Sequence, residues 1–185
     1  MWLAKVKETY GEKLQVDWRP FSLEQSNSKE GPEWKVWEQP NGLLALRAGE
    51  AAKRQGTKVF DDFLIALMKA RHEDRKELTD PEVIDEAARS AGLDLGQFKE
   101  DLVDPDLLQG IVKSHTQAVE EYGVFGVPTF IFPNGFSAFL KTYQPPEEDA
   151  VEVFEAINKL MGSWNFIGEL KRPQPPWPKG VVTSG

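Results

Sequence analysis

The chain has 185 residues, and at about 100–200 residues per domain this length fits one compact unit carrying an insertion. Lys and Arg number 22 against 30 Asp and Glu, a net charge of −8, which has the wrong sign for a surface that neutralises phosphates, so nucleic-acid binding is disfavoured. There is no cysteine, which removes disulfide staples, thiolate metal sites, cysteine nucleophiles and thiol–disulfide exchange from this chain's own chemistry.

In chain order, Leu3, Val6 and Tyr10 form a helical stripe that Gly11 ends as a C-cap, and no N-cap residue precedes it. Leu14 to Arg19 alternates apolar and polar residues, the period-2 pattern of a half-buried strand stopped by Pro20. Ser26 to Gly42 is rich in Ser, Asn, Gly and Pro, an irregular connection whose Trp34 and Trp37 are read as core-edge residues, with a pocket lining as the alternative.

From Leu43 to Tyr122 the strong signals are helical. One helix opens at Leu43 and ends near Gly56, and a second carries Val59, Phe60, Phe63, Leu64, Leu67 and Met68 on one stripe. Asp80-Pro81 and Asp104-Pro105 each pair an N-cap with a proline at the first helical position, and Asp94 caps a short helix between them. The outcome is a small helical bundle of about eighty residues with short turns.

Val127 to Phe132 is β-branched and aromatic, Pro133-Asn134-Gly135 is a turn, and Phe136 to Leu140 returns, which predicts a hairpin. Glu147 to Leu160 then reads as a last helix with acidic residues in its first turn, stopped by Gly162. Beyond Arg172, prolines around Trp177 preclude helix and leave an extended or disordered tail, with polyproline docking as the alternative.

Most candidate chemistry is weak. His72 and His115 lack a second ligand at helical spacing and are read as solvated, and the acidic runs Glu120-Glu121 and Glu147-Glu148-Asp149 as solvated helix faces. No cofactor or metal is expected. The informative segment is Gly123-Val124-Phe125-Gly126-Val127-Pro128-Thr129-Phe130. Proline opening an apolar strand belongs at a bend or edge, and the spacing leaves both a cis and a trans bond open. Backbone groups exposed there can pair with an extended peptide.

That segment, preceded by a helical insertion and followed by a hairpin and a helix, resembles the cis-proline loop of the DsbA-like branch of the thioredoxin superfamily. Trp18-Arg19-Pro20-Phe21-Ser22-Leu23-Glu24-Gln25 and Gly31-Pro32-Glu33-Trp34 resemble the predicted dithiol-disulfide isomerases of that branch, and the likeness covers roughly Leu3 to Pro173. The resemblance implies an α/β, thioredoxin-like fold divided as 1–25 and 123–172 around a connection and helical insertion at 26–122, with a Pro-rich tail at 173–185. It also implies that Val127, Pro128 and Thr129 hold the substrate, an extended peptide or a thiol.

The family's first strand and its Cys-x-x-Cys have no counterpart here, so no catalytic residue carries over. By the family's topology that strand lies centrally, between Leu14–Arg19 and Val127–Phe132. Its loss removes on the order of ten ladder hydrogen bonds at about 0.5–1.5 kcal/mol net each, comparable with the stability of a whole domain. The expectation is that Met1 is an internal methionine of a longer protein.

Three functions follow from the resemblance: a thiol–disulfide oxidoreductase or isomerase in full-length form, with this chain redox-inactive; a non-catalytic peptide-binding module; or a glutathione-dependent isomerase or transferase relative. A cytoplasmic location and no membrane partner are expected, since the start has no leader-like apolar stretch and no apolar run reaches about 18 residues. The oligomeric state is left open.

Overall fold

The computed structural model describes residues 2–27 and 43–171. The sequence-based expectations for Trp34, Trp37, the Gly31–Trp34 likeness and the tail beyond Arg172 fall outside those residues. The described chain divides into two compact units, one from Met1–Asp17 with Val119–Gly185 and one from Trp18–Ala118.

Trp18–Ala118 is a helical bundle. After the short α2 (Leu23–Asn27) come α3 (Leu44–Arg54), α4 (Thr57–His72), α5 (Pro81–Ser90) and α6 (Leu95–Leu102), followed by α7 (Pro105–Tyr122), most of which belongs to this unit. The starts follow local chemistry: the Asp80 carboxylate accepts from the Glu82 N–H, and Asp94 accepts from both Gly96 and Gln97 N–H groups, satisfying donors that no preceding turn can reach. Gly56 sits at φ 114°, a conformation open to glycine, which lets α3 turn directly into α4. The core gathers Ala48, Ala51 and Ala52 of α3 against Phe63, Ile84 and Phe98, all essentially inaccessible. Small residues on α3 let its neighbours approach, while Phe63 and Phe98 fill the centre with ring centroids 5.8 Å apart.

The other unit packs α1 (Trp2–Tyr10) against α8 (Ala150–Ile157). Leu3, Val6 and Ala150 are buried, the Tyr10 hydroxyl donates to Glu155 Oε1 at 2.6 Å, and its ring meets Phe154 edge-on. Gly11 takes φ 54° and stops α1 as expected. Strands β1 (Thr129–Ile131) and β2 (Ser137–Phe139) pair antiparallel in the register Thr129–Phe139, Phe130–Ala138 and Ile131–Ser137.

Two expectations need correction. Leu14–Arg19 forms no ladder. The segment keeps its period, with Leu14, Val16 and Trp18 half-buried and Gln15, Asp17 and Arg19 exposed, and Leu14 is extended at φ −108° and ψ 106°. An alternating segment becomes a strand only where a neighbour supplies donors and acceptors, and none does among the described residues. The last helix does not stop at Gly162. It widens into a π-helical turn over Asn158–Ser163, and Gly162 is buried there, where a Cβ would lie 2.8 Å from Phe132 Cδ1. Among the described residues the sheet is two-stranded, a thioredoxin-like fold with an incomplete sheet and a helical majority.

Candidate functional site

The hairpin follows from composition: Asn134 and Gly135 turn the chain, with the Asn134 carboxamide oxygen accepting from the Phe136 N–H and its Nδ2 donating to the Gly162 carbonyl at 2.7 Å. Hydrogen bonds continue past the ladder at both ends, from Phe132 N–H to the Phe136 carbonyl and from Leu140 N–H to the Pro128 carbonyl at 3.0 Å. Phe130 and Phe132 thus belong to the bonded set, and antiparallel alternation turns the N–H and C=O groups of Thr129 and Ile131 to the opposite edge of β1. No strand covers that edge among the described residues.

Beside it stands the loop that the sequence singles out. The Val127–Pro128 bond is cis, and the Thr129 hydroxyl donates to the Gly126 carbonyl at 2.7 Å, tying the two ends of the turn together. Val127 and Pro128 are exposed and Thr129 is half-buried, so all three candidate residues lie together at the accessible end of β1. Apolar groups surround them: Phe125 is 68% exposed, Val127 44%, Ile131 41% and Phe139 39%. The Phe125 and Phe139 rings meet at 5.0 Å, and Phe139 faces Thr129 across the hairpin. Gly126 lets the ring lie close, since a Cβ there would approach Phe139 Cε2 to 3.1 Å and the ring would have to give by a few tenths of an ångström.

Phe125, Ile131 and Phe139 go unnoticed in a reading centred on proline. Of the three, Ile131 has a local signal, because Val127 to Phe132 is largely apolar at both parities of the strand, which is how a strand covered on both faces reads, whereas the Phe125–Phe139 contact rests on hairpin register.

The remaining candidates separate clearly. His72 is exposed, as are Glu120, Glu121, Glu147, Glu148 and Asp149. His115 contradicts its expectation: it is 4% exposed, Nδ1 accepts from the Ser22 N–H, and burial lowers its pKa below the ordinary 6.5. It lies on the inner stripe of α7 with Ile111, a placement hidden from the sequence by its polar neighbours. Among the described residues no group of three metal-binding side chains gathers, and no helix is long and apolar enough to cross a membrane.

The DSBA-like thioredoxin domain matches residues 2–155. The chain belongs to the DSBA-like thioredoxin domain family. Among individual proteins it is similar to the ClpXP adapter protein SpxH of Bacillus subtilis (strain 168), 29% identical over 119 residues that make up 63% of this chain and 40% of that protein. It is also similar to the ClpXP adapter protein SpxH of Shouchella clausii (strain KSM-K16), 33% identical over 90 residues, 49% of this chain and 30% of that one. The matched regions are thus well under half of each relative's own length.

Within the family, what this chain offers is backbone and apolar surface. Thiolate attack on a disulfide needs a cysteine thiol, and the chain has no cysteine.

Proposed function

We propose that this DSBA-like domain binds extended segments of other proteins along β1, without carrying out redox chemistry itself. The observation that carries this function is the uncovered edge at Thr129 and Ile131, flanked by exposed Phe125, Val127 and Phe139. An incoming strand gains main-chain hydrogen bonds from the edge and side-chain burial from the aromatic pair, the two components of β-strand addition. Each exposed apolar side chain it covers contributes at about 25 cal/mol per Å² removed from water. Similarity to two ClpXP adapter proteins supports protein binding as the activity.

The test is fluorescence anisotropy of a labelled peptide alternating valine and threonine, titrated with the chain and with Phe125→Ala. Saturable binding, weakened about five- to thirtyfold by the substitution as an aromatic anchor is lost, is the expected result. Absence of binding by the unsubstituted chain overturns the proposal.

A second function, thiol–disulfide exchange by a longer form of the protein, rests on family membership. Its cysteines would lie outside this sequence, and the loop at Val127–Thr129 would hold the substrate chain beside them.

A further inference from the structure

Three of the buried polar residues, Ser22, Gln25 and His115, are joined by hydrogen bonds. Ser22 works in two directions: its Oγ accepts from the Gln25 N–H at 3.1 Å and caps α2, while its own N–H donates to His115 Nδ1 at 3.2 Å. The bond at Nδ1 places the proton of the neutral ring on Nε2. Around it the stretch from Arg19 to Ser22 is fastened to α7. Arg19 Nη1 donates to Gln117 Oε1, the Ser114 hydroxyl donates to the Pro20 carbonyl, and the Phe21 ring stacks on the imidazole at 4.4 Å and 24°.

We propose that His115 is a proton-operated latch: its neutral ring holds Ser22 and the start of α2 on α7, and protonation at Nδ1 releases the stretch from Arg19 to Gln25.

Once protonated, Nδ1 becomes a donor facing the Ser22 N–H, so one bond is lost and two donors oppose each other in a buried place. Phe21 works the other way, since a stacked ring attracts an imidazolium by about 0.5–1 kcal/mol. A buried unpaired donor costs about 1–3 kcal/mol before the charge itself is counted, so release wins. Arg19 and Glu24 on the stretch and Lys113 on α7 are among the charged groups on the two segments that the ring joins, and burial is what lowers its proton affinity. With the folded pKa below 6.5, the latch is fully closed above that pH and opens as the pH falls through the lower, folded value.

The experiment is NMR on the full chain between about pH 7.5 and about pH 5, the range in which a histidine titrates. With two histidines in the sequence, the His115 ring resonance is assignable by comparison with a His72→Gln variant. The expected result is that the Ser22 and Gln25 amides shift with the His115 midpoint and lose about five- to tenfold of their exchange protection, the worth of one hydrogen bond, while core amides of α4 do not. In His115→Asn, whose side-chain oxygen still accepts and does not titrate, protection is expected to be independent of pH. Different midpoints in the unsubstituted chain overturn the latch whether or not the variant folds, as does unchanged pH dependence in a folded His115→Asn.

Discussion

The Thr129 hydroxyl donates to the Gly126 carbonyl at 2.7 Å, so the residue opening β1 also closes the loop that precedes it. One side chain therefore couples the shape of the loop to the position of the strand edge. Thr129→Val keeps a β-branched side chain of similar volume and removes only the donor. The expected cost is about 0.5–1.5 kcal/mol, with peptide binding weakened because the loop is no longer fastened to the edge. Urea unfolding and peptide titration of the same variant measure both.

Gly162 meets Phe132 closely enough that a Cβ would sit 2.8 Å from one ring carbon and 2.9 Å from Asn158 Oδ1. Both neighbours are themselves held in place, Phe132 by the hairpin and Asn158 by the π-helical turn. Gly162→Ala is expected to overpack the site at about 1–3 kcal/mol, lowering the midpoint of thermal unfolding by about 2–12 °C. Differential scanning calorimetry gives the shift, and an unchanged midpoint would mean that the π-helical turn yields freely.

Arg54 reaches Asp101 Oδ1 at 2.8 Å and Asp104 Oδ2 at 2.7 Å from one guanidinium nitrogen. Asp101 is 8% exposed, so removing its partner strands a carboxylate away from water, whereas Asp104 remains wetted. Asp104 is also held below the usual carboxylate range, first by the Asp106 N–H and then by Arg54. A depressed carboxylate stabilises the fold above its unfolded pKa, near 4, and this stability is lost as the pH falls through the folded value. Arg54→Met is expected to destabilise the chain, and the acid limb of its stability curve is expected to be shallower because Asp104 then titrates nearer its ordinary value. Unfolding midpoints collected across the acid range decide this.

The absence of cysteine makes a firm chemical prediction. Added to a mixture of insulin and dithiothreitol, the chain is expected to leave the rate of disulfide reduction at that of buffer. Catalysed turnover would contradict the requirement for a cysteine thiol in this chain.

Much of the architecture is legible from local chemistry. The Asp80 and Asp94 caps, the glycine stop at Gly11 and the Pro133-Asn134-Gly135 turn depend on residues a few positions apart, and all occur where the sequence places them. Leu14–Arg19 shows the limit of such signals, because its alternation records which side is buried and says nothing about whether a neighbour exists to bond its backbone. His115 shows another: a polar residue on a buried stripe becomes intelligible only when Ser22, 93 positions away, brings a donor to it. At the candidate site, the loop residues Val127–Thr129 were visible as a motif, while the aromatic pair Phe125 and Phe139 depended on hairpin register, which no single stretch of sequence specifies.

The most direct test of strand addition at β1 is Ile131→Pro. The Ile131 N–H points to the uncovered edge, so proline there removes an edge donor and blocks the approach of a strand without breaking a β1–β2 ladder bond. With the hairpin shown intact by cross-strand NMR contacts between Phe130 and Ala138, the affinity for the valine–threonine peptide is expected to fall about tenfold or more, matching a lost hydrogen bond plus a steric block. Equal affinity in the folded variant would contradict binding at this edge.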